Sequence, residues 1–124
     1  MTYFEGFIVP VPEDQREAYR KHAADAAPIF QDLGVTRHFE AWDSNVPQGK
    51  VTDFRMAVDA KPEEKVVFSF IEWPDKETRD QAWQKLMADE NMKPEGEMPF
   101  DGKRMFWGGF EPIVDTAKQE AALA

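Results

Sequence analysis

Residues 65–74 of this chain, Lys-Val-Val-Phe-Ser-Phe-Ile-Glu-Trp-Pro, allow few folds. β-Branched and aromatic side chains crowd the run, Pro74 stops it and an amphipathic segment follows at once, so it reads as a strand feeding a helix. Side chains alternate across a strand, which puts Val66, Phe68, Phe70 and Glu72 on one face and Val67, Ser69, Ile71 and Trp73 on the other. Both faces are apolar. Such a strand lies centrally in its sheet and needs a cover on each side.

The rest of the chain supplies its neighbours. Phe4 to Val11 is a second two-sided strand, with Phe7, Val9 and Val11 opposite Phe4 and Ile8 and with Gly6 marking a close approach. Pro12 ends it and opens a helix reaching about Asp32, with Glu13 and Asp14 at its positive end. Ala18, Tyr19, His22, Ala23, Ala26, Ile29, Phe30 and Leu33 recur there at helical spacing, Pro28 bends the last turns and Gly34 suits a left-handed cap. Val35 to Asp43 is a strand with Arg37, Phe39 and Ala41 opposite His38, Glu40 and Trp42. Residues 44–64 are an excursion with turn chemistry at both ends and a short half-buried strand through Phe54, Met56 and Val58. Asp75 caps a helix that buries Arg79, Ala82, Trp83, Leu86 and Met87 and ends near Glu90. A loop from Asn91 to Lys103 leads to a last strand, Arg104 to Val114, in which Gly108-Gly109 form a bulge or sharp bend.

Strand, helix, strand, strand, helix, strand is the ferredoxin-like βαββαβ order, an α+β fold with an antiparallel sheet. Residues 1–114 form that domain and 115–124 a tail. Right-handed crossovers place both helices on one face and leave the other bare. Six to eight large apolar side chains left in water there forfeit on the order of 10 kcal/mol, comparable with the net stability of a domain. A second copy, packed sheet face to sheet face about a two-fold axis, is the simplest cover, so a homodimer is expected.

Composition narrows the function. The chain has no cysteine, which accords with a reducing cytoplasm and excludes thiolate metal sites. A net charge of −9 without a basic stripe speaks against nucleic acid. The first residues lack a positively charged leader and no run is long enough to span a membrane, so a cytoplasmic protein without a membrane partner is expected.

The segments 101–110, Asp-Gly-Lys-Arg-Met-Phe-Trp-Gly-Gly-Phe, and 49–58, Gly-Lys-Val-Thr-Asp-Phe-Arg-Met-Ala-Val, together with Val66 to Pro74, resemble the YbaA-like family of uncharacterised bacterial proteins. The resemblance spans about residues 3–110. That family is similar to the dimeric α+β barrel superfamily, in which two ferredoxin-like protomers close their sheets into a shared barrel. The superfamily includes cofactor-free quinol monooxygenases, haem-degrading enzymes, muconolactone isomerases and small stress proteins. The resemblance implies the fold and the dimer, and it carries no catalytic residue over to this chain.

Candidate chemistry therefore comes from the residues themselves. His38 and Glu40 share a strand face with Trp42, a possible proton-transfer pair over an aromatic wall. Glu72 lies beyond Phe68 and Phe70 on one face of the central strand, with Arg55 and Arg104 as counterions from neighbouring strands. His22, on the apolar stripe of the first helix, reads as a hydrogen-bonded core histidine. Glu95, Glu97 and Asp101 lack the spacing of a calcium loop, and the histidines lack that of a zinc or iron site, so no metal is expected. No phosphate loop or nucleophile elbow is present, and no cofactor is implied. The expected function is that of a small-molecule-binding or stress-associated domain whose barrel is filled by its own aromatics. The enzymatic alternative is a cofactor-independent monooxygenase or isomerase acting on a small aromatic or carbonyl compound inside the barrel. In it His38 accepts the proton, Glu40 or Glu72 is its carboxylate partner, and Trp42, Trp73, Arg55 and Arg104 line the substrate.

Overall fold

A computed structural model describes residues 1–89 and 98–118. Strand β1 spans Tyr3–Pro12, a 3-10 turn covers Glu13–Gln15, and helix α1 runs Arg16–Leu33. They are followed by β2 (Arg37–Trp42), the single turn α2 (Phe54–Ala57), β3 (Glu64–Trp73), α3 (Lys76–Ala88) and β4 (Phe106–Phe110), with a last 3-10 turn at Thr116–Lys118. The strands form an antiparallel sheet in the order β2-β3-β1-β4, with β3 and β1 in its interior. This is a ferredoxin-like α+β fold, built on the two-sided strands. Glu95, Glu97, the expected helix end at Glu90 and residues 119–124 of the tail lie outside the described residues.

Local signals set the helix ends. Gly34 caps α1 at φ 108°, a left-handed conformation that glycine adopts without a Cβ clash, and its N–H reaches the carbonyls of Phe30 and Gln31. The Asp75 carboxylate accepts from the Thr78 N–H at 2.7 Å and starts α3. Asp53 does the same for Met56, at 2.7 Å. The expected strand through Phe54, Met56 and Val58 is therefore a helical turn. Alternation over so short a run does not separate strand from helix, whereas a capping aspartate does. Met87, expected on the buried side of α3, is 76% exposed; Ala82 is buried against the sheet, and Trp83 stacks on Trp107 of β4.

Gly108-Gly109 form no bulge. The β1–β4 ladder runs without a break from Phe4 opposite Phe110 to Ile8 opposite Phe106. A Cβ on Gly109 would lie 2.0 Å from the Tyr3 hydroxyl and 2.9 Å or less from its ring, so the glycine is the space into which Tyr3 fits. Alanine there would force a buried ring to move.

The register defines two faces. On one, His38, Ile71, Glu5 and Gly109 form a row across the sheet, next to the row Glu40, Ser69, Phe7 and Trp107. Both helices cover this face, with Tyr19, Ala23, Phe30 and Leu33 of α1 and Ala82 of α3 packed on Val9, Val11, Val67, Ile71 and Trp73. Among the described residues neither α1 nor α3 lies on the other face, although Pro10 and Val66 at one of its ends are buried and residues 111–117 border Phe4, Phe70 and Phe110 at the other. The rows of that face are Ala41, Phe68, Ile8, Phe106; then Phe39, Phe70, Gly6, Gly108; then Arg37, Glu72, Phe4, Phe110. Phe39 and Phe70 stack at 4.9 Å, and the Phe110 ring lies over the gap left by Gly6 and Gly108. Phe68, Phe106 and Phe110 remain 47%, 45% and 62% exposed.

Candidate functional site

Strand parity decides where the candidate residues go. His38, Glu40 and Trp42 project toward α1, while Phe39 and Ala41 project to the open face. The pair thus lies in the protomer's own α/β layer and not on the sheet face that a barrel would enclose. There the His38 Nε2 meets Glu40 Oε2 at 2.6 Å, and the Tyr19 hydroxyl donates to Glu40 Oε1 at 2.7 Å. His38 and Glu40 are 14% and 25% exposed. Burial, and then the Glu40 carboxylate beside it, push the Tyr19 phenol well above its ordinary range, so it keeps its proton and donates. The tautomer that donates from Nε2 to Glu40 leaves Nδ1 as the accepting nitrogen. The Phe30 ring stands edge-on to the imidazole at 5.1 Å and fixes its plane.

This chain of hydrogen bonds borders a cavity of about 150 Å³ between α1 and the sheet. Its other walls are mostly apolar, with Phe7, Val9, Ile71, Phe100 and Met105 among them and the Ser69 hydroxyl as an exception. His22 also lines it. It is half-buried and, among the described residues, has no hydrogen-bond partner, so in place of the expected hydrogen-bonded core histidine the structure has an imidazole at a cavity wall that also borders the surface. Trp42 lies on the far side of Tyr19 and Glu40, in a hollow of about 210 Å³, with the Arg16 guanidinium 5.4 Å from its ring centre.

The remaining candidates do not join this cavity. Glu72 is paired in register with Arg37 and Phe4 on the opposite face, so Glu40 is the carboxylate at His38. Trp73 is a core residue, 2% exposed, whose indole donates to Glu5 Oε1 at 2.9 Å. Arg55 and Arg104 stand at the other end of β3 from Glu72, and Arg55 lies on α2 rather than on a strand. Arg55 donates to the carbonyls of Glu64 and Lys61, at 2.6 and 2.7 Å. Arg104 holds both Glu64 oxygens at 2.7 and 2.6 Å and Asp101 at 2.9 Å, and its guanidinium keeps the Glu64 carboxyl below the usual range.

Sequence reasoning passed over Glu5. It is fully buried on the covered face, where the Trp73 indole, the Trp83 indole at 3.0 and 3.1 Å and the Arg79 guanidinium at 3.5 Å surround its carboxylate. The available signal was a glutamate in phase with Tyr3, Phe7, Val9 and Val11. Tyr19 was equally legible as a hydroxyl one turn from His22 on the stripe of α1. Among the described residues, no group of three or more His, Asp or Glu side chains is placed to hold a metal ion. Nor is any helix among them long and apolar enough to cross a membrane.

Residues 2–102 match the family described as Protein of unknown function (DUF1428). The chain belongs to that family. It is 60% identical over 116 residues, 93% of this chain and 99% of the relative, to "Uncharacterized protein YbaA" of Escherichia coli (strain K12), and the same figures hold for the protein of that description in Shigella flexneri.

Proposed function

We propose that this protein is a cytoplasmic homodimer that binds a small aromatic or carbonyl compound in the cavity beneath α1 and moves a proton on it. The observation that carries this reading is the chain Tyr19–Glu40–His38 along the wall of a mostly apolar space. A cavity of about 150 Å³ is the size that takes up one benzene-sized ring. His38 Nδ1 takes the proton of a phenol O–H or of a carbon next to a carbonyl. The electron pair of the broken bond stays on the ligand, and the imidazolium that forms is held by Glu40, itself fixed by Tyr19. Return of the proton to a different atom of the ligand completes an isomerisation. A monooxygenase would begin with the same deprotonation and hand the electron-rich anion to dioxygen as co-substrate.

The dimer enters through the open face. Its central rows hold Phe68, Ile8, Phe106, Phe39 and Phe70 without a charge, and Arg37 and Glu72 stand only at one end. A second copy offers the same aromatic surface, as a two-fold interface requires. The fold and this face together support membership of the dimeric α+β barrel superfamily, with the barrel filled by phenylalanines and the ligand site in each protomer.

Thermal shift and proton exchange test the site. Phenol and acetophenone should raise the melting temperature of the wild type by mass action, and exchange of the acetophenone methyl protons in heavy water should run faster than in buffer. His38→Ala should abolish the exchange, and Glu40→Gln should slow it about 100-fold, within the usual span for general base catalysis. Wild-type protein that neither binds the probes nor exchanges their protons would refute the reading.

A further inference from the structure

The cavity beneath α1 shares a wall with a broad cleft on the surface. The cleft, of about 730 Å³, lies between the start of α1 and the turn before β4, bounded by Asp14, Lys21, Lys61, Glu64 and Arg104. His22 and Phe100 line both spaces. Their rings are 5.7 Å apart, and Phe100 also meets Tyr19 edge-on at 5.7 Å, so the aromatic partition is one side chain thick. On the cavity side its neighbours are Phe7, Val9, Ala23 and Met105; on the cleft side they are charged. The charges of the cleft largely cancel. Arg104 is held by Glu64 and Asp101, and Lys21 by Asp25 at 2.7 Å, which leaves a polar surface with no strong preference for an ion.

His22 is the polar group at this boundary, and its ring nitrogens have no hydrogen-bond partner among the described residues. A half-buried imidazole gains most from a ligand atom that reaches it out of the apolar side, because the bond then forms where water competes least. We infer that the cavity and the cleft are two halves of one binding site, in which His22 hydrogen-bonds a neutral polar substituent of a single-ring ligand where it passes from the one to the other. The inference rests on the proposed reading of the inner cavity. The ring lies against His38, and the substituent projects past Phe100 toward the cleft. The ligand class is thus a monocyclic phenol or ketone with a hydroxyl- or amide-bearing arm across the ring.

Titration calorimetry with two probes of the same shape tests this on the full chain. 4-Hydroxybenzyl alcohol and 4-ethylphenol differ by one hydroxyl at the outer end. The ratio of their affinities should fall about five- to tenfold, in disfavour of the alcohol, on His22→Leu, the amount expected for one lost hydrogen bond, while His22→Gln should retain most of it. Phe100→Ala should widen the passage between the two spaces and admit 2-naphthol, which the wild type should exclude, and this second variant decides the matter if His22→Leu does not fold. An unchanged ratio in His22→Leu, or continued exclusion of 2-naphthol by Phe100→Ala, would overturn the inference. If the wild type binds both phenols in a His38-dependent way while the ratio ignores His22, the proposed function stands and the joined site falls. If it binds neither, both fall.

Discussion

The two faces of the sheet invert the usual distribution of side chains. The face sealed by helices holds the polar groups Glu5, Glu40, His38 and Ser69 among its apolar residues, whereas the uncovered face is mostly phenylalanine. A buried carboxylate is costly unless donors surround it, and Glu5 has two indole N–H donors with a guanidinium 3.5 Å away, while the partly exposed Glu40 has a phenol and an imidazole. Exposed aromatic rows are costly unless a partner covers them. The contrast separates two roles. On the proposed reading the covered layer holds the groups that do the chemistry, and the open face is the surface for assembly.

The largest expected effect tests the covered face. Glu5→Ala leaves two indole N–H groups without their acceptor and the Arg79 guanidinium without the carboxylate 3.5 Å from it, and should cost about 3–5 kcal/mol of unfolding free energy. Glu5→Gln keeps an oxygen for the indoles and should cost clearly less. Denaturant unfolding at one fixed protein concentration reads both, since association would otherwise enter the comparison. A loss below about 1 kcal/mol for Glu5→Ala would mean that the polar groups of the covered face do not hold it together.

The open face should respond in association and not in folding. Phe68 and Phe106 flank Ile8 in one row and are half exposed, so the pair Phe68→Asp and Phe106→Asp places charge in the middle of the surface without touching the helix-covered core. Sedimentation should show the dimer dissociation constant raised about 100-fold or more, with the far-ultraviolet spectrum unchanged. A wild type that sediments as a stable monomer would break the contrast between the faces outright. It would also require residues of the tail or of the 43–63 excursion to cover the phenylalanines.

Parity was legible in the sequence and orientation was not. The alternation in β3 and β1 assigns each side chain a face, and it correctly separates His38, Glu40 and Trp42 from Arg37, Phe39 and Ala41. Because both faces are apolar, alternation cannot say which of them receives the helices. That choice follows from how Tyr19, Ala23 and Phe30 pack across the sheet, and it moved the candidate site from the barrel to the α/β layer. The short turn at Phe54–Ala57 and the glycine at 109 failed for a related reason. Each is explained by a partner distant in space or by a cap, Tyr3 for Gly109 and Asp53 for the turn, and not by periodicity.

The smallest effect probes the site itself, through Tyr19. Replacing it with phenylalanine removes one hydrogen bond to Glu40 and should cost about 1 kcal/mol near neutral pH, with the cavity walls otherwise intact. The pH dependence reports the buried, protonated phenol beside Glu40. The folded protein holds the Tyr19 phenol protonated well above its ordinary value of 10.0, through burial first and then the Glu40 carboxylate. Its stabilising contribution is therefore complete below that value. Above it the unfolded chain releases a proton that the folded chain retains, and the contribution falls by about 1.4 kcal/mol per pH unit. Tyr3 is present in both proteins and cancels in the difference. The stability gap between wild type and Tyr19→Phe should thus stay constant from pH 7 to about 9.5 and close near pH 11. A gap that persists unchanged to pH 11 would show that folding does not hold the phenol protonated, against its burial beside the Glu40 carboxylate.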